Sequence, residues 1–188
     1  MGRTEQELQH ASVHVKYELD MLAATVSFLS KGLGETNQHT WNAYLESFVL
    51  HLRNLIDFLY PPNRRNARNA DDILADDYVK DVTSWNADRP AKTDLLRDAE
   101  TKVNKQVAHL TYSRLRADKN WMWAAILADL EKVVICFFNH LPPSRAAWFA
   151  GAESQGPAGP TGTPSPAVGV GHTGPAGPTG STGGMVSN

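Results

Sequence analysis

Apolar residues recur at intervals of three and four along four separate stretches of this chain, and that period decides what it can build. A period near 3.6 lays one greasy stripe along a helix, whereas a strand needs alternation. In the first stretch, Glu5 to Lys31, the stripe is Leu8, Ala11, Val15, Leu19, Leu22, Val26 and Leu29. Gly32 and Gly34 follow, and glycine readily takes the left-handed conformation found just past a helix end. Thr36 or Asn37 can cap a second helix running to Tyr60 on Trp41, Leu45, Phe48, Val49, Leu52, Leu55, Ile56 and Leu59. Pro61-Pro62 stops it, because proline lacks the donor that the next turn needs. A third helix is expected from Thr93 to Tyr112, on Leu96, Ala99, Val103, Val107 and Leu110. A fourth is expected from Lys119 to Leu141, on Trp123, Ile126, Leu127, Leu130, Val133, Val134, Phe137 and Phe138, with Pro142-Pro143 closing it. None of these rods can bury its stripe alone. The expected fold is therefore all-α, an antiparallel bundle of four long helices.

Between the second and third helices the period fades. From Asn63 to Pro90, three arginines (Arg64, Arg65, Arg68) precede five aspartates (Asp71, Asp72, Asp76, Asp77, Asp81). A short helix from Asp71 to Tyr78 is expected there, with Val82 and Trp85 pinning the connection to the body. Connections of this length are often functional. Beyond Ala150 the composition shifts to Gly, Pro, Thr, Ser and Ala, with Glu153 the one charged side chain. Glycines at 156, 159, 162, 171, 174, 177, 180 and 183 share one three-residue phase, and Gly-Pro-Ala-Gly-Pro-Thr-Gly occurs twice. The phrasing is collagen-like, but the phase is short and interrupted, so the reading is a disordered tether. Residues 1–150 thus form the helical domain and 151–188 a low-complexity tail.

Composition narrows the function classes. Hydrophobic residues make up 41% of the chain, enough for a core, and the net charge is −2. No overall positive field draws nucleic acid or anionic membrane. The single cysteine, Cys136, lies in an apolar run and reads as a small hydrophobe, and one thiol excludes an internal disulfide framework. The polar start, Met1 to Glu7, lacks the apolar core of a secretory signal, and no long uncharged apolar stretch can span a membrane. The expected location is the cytoplasm.

The segment Val103-Asn104-Lys105-Gln106-Val107-Ala108-His109 carries the most specific pattern. It resembles a helical motif of the HEPN superfamily, of the form Arg-Asn-x-x-Ala-His. HEPN proteins are small helical bundles, many of them RNA-cleaving dimers of defence and toxin systems. The resemblance extends to Glu46 and to His51-Leu52-Arg53-Asn54-Leu55-Ile56-Asp57-Phe58, and both segments together are similar to a family of uncharacterised bacterial helical proteins. It implies RNA or a nucleotide as partner, a homodimer, and His109 as a residue of the transfer step. Asn104 stands where the motif has the arginine that steadies the phosphate, so the resemblance implies a weakly catalytic or non-catalytic member.

Helix geometry adds to this. At 100° per residue, Glu46, Arg53 and Asp57 fall within about 40° of one another, and His109 lies about 140° from the stripe of its own helix. These polar faces can converge on a cleft in which Arg53 supplies the guanidinium missing at position 104. The candidate catalytic set is then His109, Arg53, Asn104 and Glu46. Alternatively, Glu46, Arg53 and Asp57 form a solvated charge ladder and His109 bonds a neighbouring helix.

Three further patterns compete. His10, His14 and Glu18 recur every four residues, a spacing that presents ligands to one metal ion, with His51, His109 or His140 as a third histidine. His10 lies far from the stripe, which places it in solvent, and no metal or cofactor is assigned. The asparagine-spaced arginines Arg64, Arg65 and Arg68 either touch phosphates or pair with the aspartates that follow. Of Trp121 and Trp123, at most one can face the core of a helix, leaving the other for a partner surface. No phosphate-binding glycine loop, nucleophile elbow or cysteine metal pattern is present. Three functions remain open: a HEPN-like RNA- or nucleotide-linked domain, a non-enzymatic interaction bundle with a tether, and a histidine–metal bundle.

Overall fold

The first stripe becomes α1 (Glu5–Ser30), opened by a reciprocal cap in which Glu7 N–H donates to the Thr4 hydroxyl while Thr4 N–H donates to the Glu7 carboxylate. The helix ends at Lys31, and Gly32 follows with φ 64°, the left-handed geometry expected there. These observations come from a computed structural model that describes residues 3–32, 37–61, 71–108, 112, 115 and 121–150. The candidate His109, the arginines Arg64, Arg65 and Arg68, and the tail 151–188 lie outside the described residues.

Asn37 caps α2 (Gln38–Leu59), its side-chain oxygen accepting from His39 N–H at 2.8 Å. The order continues with a 3₁₀ turn (Ala75–Asp77), α3 (Val82–Asp88), α4 (Asp94–Lys102) running into a π-helical turn (Val103–Ala108), α5 (Trp123–His140) and α6 (Pro143–Ala150). No strand occurs among the described residues, so the fold is all-α. No helix among them is long and apolar enough to cross a membrane.

Ring contacts fix the directions of the rods. Phe28 stacks on Tyr44 and Glu18 pairs with His51, so α1 and α2 are antiparallel. Trp41 meets Trp123 and Phe58 meets Phe137, so α5 runs with α2. Thr93 bonds Asp129 while Lys102 sits over the Trp121 ring, so α4 opposes α5. The α4–π rod completes an up-down-up-down arrangement of four rods, as the stripes require. Their buried sides join in one core. It is most aromatic at one end, where Phe137 makes edge contacts with Phe58, Tyr78, Trp85, Phe138 and Phe149.

Several sequence expectations need correction. Asp71 to Tyr78 is not a helix, because the Asp77 carboxylate accepts from Leu74 N–H and Leu74 is extended; one 3₁₀ turn remains. The third rod is α-helical only to Lys102 and then widens into the π turn. A π turn inserts one residue into the repeat, so the 140° assigned to His109 from an ideal helix does not carry through it. The fourth helix begins at Trp123 rather than Lys119, and Trp121 stands in the lead-in before it. Both indoles therefore pack, Trp121 edge-on to Phe48 and Trp123 edge-on to Trp41, and Met122 is the exposed residue between them. Pro142-Pro143 ends α5 but also starts α6, since proline suits the first helical position. Arg145 holds α6 in place by donating to the carbonyls of Asp77 and Tyr78 at 2.9 and 2.8 Å and pairing with Glu5.

Candidate functional site

The middle of the α1–α2 hairpin carries its most polar junction. His51, on the inner side of α2, is 5% exposed, and its Nδ1 lies 2.7 Å from a Glu18 carboxylate oxygen on α1. The Tyr17 ring meets the imidazole edge-on at 5.5 Å. A buried ring nitrogen needs such a partner, and Glu18 is held in a fixed direction as a result.

Glu18 also faces outward, onto a cleft of about 550 Å³. One wall is α1, through His14, Val15 and Glu18. The opposite wall is the last half of α2, through Arg53, Asn54, Leu55, Asp57 and Phe58. The described part of the rim is Pro61 together with Asp71, Asp72, Ile73 and Leu74. Ile73 is 38% exposed and Asp71 is exposed, so this rim is open to solvent. A smaller hollow of about 170 Å³ shares Asp71 and Ile73 and continues along α1 past Ala11, Leu8, Glu7 and Arg3.

The cleft is chemically mixed. Its described lining holds four carboxylates (Glu18, Asp57, Asp71, Asp72) and one guanidinium, Arg53. The Arg53 Nε lies 3.9 Å from Asp57, one turn along the same helix. Val15, Leu55, Phe58 and Leu74 supply an apolar floor. Carboxylates accept hydrogen bonds and Arg53 donates them, so the lining can read both edges of a small polar molecule.

The sequence candidates separate in space. Arg53 lines the cleft. Glu46, two turns earlier on α2, is exposed and is not among the described lining residues. Asn104 is half-buried in the π turn, which packs against α2 but contributes no described residue to the cleft. His10 is exposed, while His14 and Glu18 of the metal pattern join the cleft instead. Among the described residues, no three histidine, cysteine, aspartate or glutamate side chains come together as a metal site. Sequence reading set Glu18 and His51 only in a candidate metal pattern and missed their direct pairing, because a residue at an inward helix position is normally apolar; the signal was a histidine inside the apolar run Phe48–Leu52.

A second polar cluster lies at the far end of α5. Cys136 Sγ is 3.6 Å from the Asp88 carbonyl and 3.8 Å from His140 Nδ1, while His140 Nε2 is 3.0 Å from the Asp88 carboxylate. Burial, with the Asp88 charge adding to it, pushes the Cys136 thiol above its ordinary value. The group therefore lacks the thiolate that a nucleophile needs. No family model, curated protein or solved structure matches the chain.

Proposed function

We propose that this protein is a helical binding domain whose cleft between α1, α2 and Asp71–Leu74 takes a small molecule presenting hydroxyl or ammonium donors. The observation that carries this reading is the composition of the described lining, in which four carboxylates and Asn54 share the cleft with Arg53 over an apolar floor. A volume of about 550 Å³ suits a ligand of nucleoside size, within the range of about 300–1,000 Å³ usual for such sites. The function is that of an interaction module, with Glu18 and Arg53 as the residues that contact the ligand.

The test is titration calorimetry of the full chain with adenosine, spermidine and adenosine monophosphate, repeated on Glu18→Gln and Arg53→Ala. Binding of adenosine weakened in both variants, or of spermidine weakened in Glu18→Gln but not in Arg53→Ala, supports the reading. No binding of either, or binding that both variants leave unchanged, overturns it.

A second reading is the HEPN-like one, with RNA or a nucleotide as partner and a homodimer as the working unit. The π turn at Val103–Ala108 favours it, because such turns recur at functional sites and this one contains Asn104 and leads into His109. Incubating mixed RNA with the wild type, His109→Ala and Arg53→Ala tests it. Equal inactivity of all three removes RNA cleavage from consideration.

A further inference from the structure

His140 is the last residue of α5, and both of its ring nitrogens face oxygen atoms. Nδ1 lies 2.9 Å from the carbonyl of Cys136, one turn back on the same helix. Nε2 lies 3.0 Å from the carboxylate of Asp88, the last residue of α3. A carbonyl and a carboxylate can only accept. A neutral imidazole has a single N–H, so either tautomer leaves a ring lone pair pointed at an oxygen. Only the imidazolium donates to both.

The main chain of the same residue holds the other end of this segment. The carbonyl of His140 accepts from Lys80 N–H at 3.1 Å, immediately before Asp81 caps α3. One residue thus fastens both ends of α3. Between those ends sits Trp85, fully buried, its ring edge-on to the imidazole at 5.8 Å.

We propose that His140 is a pH-operated fastener: protonated, it holds the C-terminal end of α3 against α5, and deprotonated, it lets that end go. The charges around it agree. Asp88 and Asp81 face it from α3 and its cap. Arg89, the next residue, is engaged elsewhere, donating to the Leu59 carbonyl at 2.7 Å and lying over the Tyr60 and Trp85 rings. From its own helix comes Cys136, kept as the uncharged thiol, whose Sγ lies 3.8 Å from Nδ1 but donates to the Asp88 carbonyl at 3.6 Å, and Lys80 contributes its main-chain N–H. The C-terminal end of a helix also favours a cation.

The Cys136 carbonyl and then the Asp88 carboxylate, with Asp81 adding to them, raise the His140 pKa above its ordinary 6.5 against the opposing effect of burial. A folded-state pKa above the unfolded value makes the fastening complete below 6.5 and lost as pH rises through the folded value. Asp88 is 61% exposed, so water replaces the imidazole at its carboxylate once the contact opens. This inference does not depend on which ligand the cleft takes.

The test is an NMR titration of the His140 ring in the full chain, with amide exchange of α3 followed over about pH 5 to pH 8 and corrected for intrinsic rates. The expected result is a His140 midpoint above 6.5, with α3 protection falling severalfold as pH crosses that midpoint. In Asp88→Asn, whose amide can donate to a neutral ring, the midpoint falls and α3 protection stops following pH. A wild-type midpoint at or below 6.5, or α3 protection that ignores pH while the ring titrates, overturns the proposal.

Discussion

Glu18 and His51 meet at 2.7 Å across the α1–α2 hairpin, the carboxylate lining a cleft and the imidazole buried behind it. The two partners differ in what they lose when separated. Glu18 is partly exposed and can be hydrated, whereas His51 cannot.

Removing the carboxylate should therefore cost more than its own contact suggests. Glu18→Ala strands a buried ring nitrogen, and the expected loss is about 1–3 kcal/mol in urea unfolding. Glu18→Gln keeps an acceptor and should return most of it. In a double-mutant cycle with His51→Leu the losses should be non-additive by about 0.5–3 kcal/mol. Strictly additive losses would show that the pair is not coupled.

Arg145 is expected to be the anchor of α6. Its guanidinium serves two carbonyls and one carboxylate, a fork that lysine cannot copy. Arg145→Ala should destabilise by about 1.5–3 kcal/mol, with increased proteolysis near Pro143–Ala150. Arg145→Lys should recover little of that loss.

Phe137 is the centre of the aromatic end of the core, with 1% exposure and five ring neighbours. Phe137→Ala should cost about 3–5 kcal/mol by denaturant unfolding. A loss below about 1 kcal/mol would mean that this end of the bundle is not packed as described.

Acid should loosen the start of α1. Thr4 N–H and then the Thr4 hydroxyl hold the Glu7 carboxyl below its ordinary value, and the Arg145 guanidinium does the same for Glu5. A depressed folded-state pKa contributes stability above the ordinary value of 4.5 and loses it as pH falls through the folded value. Amide exchange in the first turns, corrected for intrinsic rates, should rise over that acid range in the wild type. In Glu7→Gln the first turn should already exchange faster at neutral pH and respond less to acid.

The rods were legible in the sequence because burial of a stripe needs only periodicity. Gly32 and Asn37 ended and began helices as their chemistry dictates. Residues 71–78 were harder, since the Asp77 side chain competes with the backbone for the Leu74 N–H. That both Trp121 and Trp123 pack inward escapes helix-face arithmetic, because Trp121 stands two residues before the helix begins. Arg53 lies on the polar side of α2, but its companions in the cleft come from other elements. Glu18 and His14 sit on α1 and Asp71 and Asp72 on a non-helical rim, and no spacing along one helix links residues brought together by tertiary packing. The His140–Asp88 contact joins residues 52 apart and left no local pattern to read.

Backbone amide shift mapping of the full chain during titration with adenosine or spermidine tests the central claim most directly. The account predicts perturbations concentrated at His14, Glu18, Arg53, Asn54 and Asp71, around the cleft. Perturbations confined to the Asn104 turn and its neighbours, with the cleft silent, would contradict it.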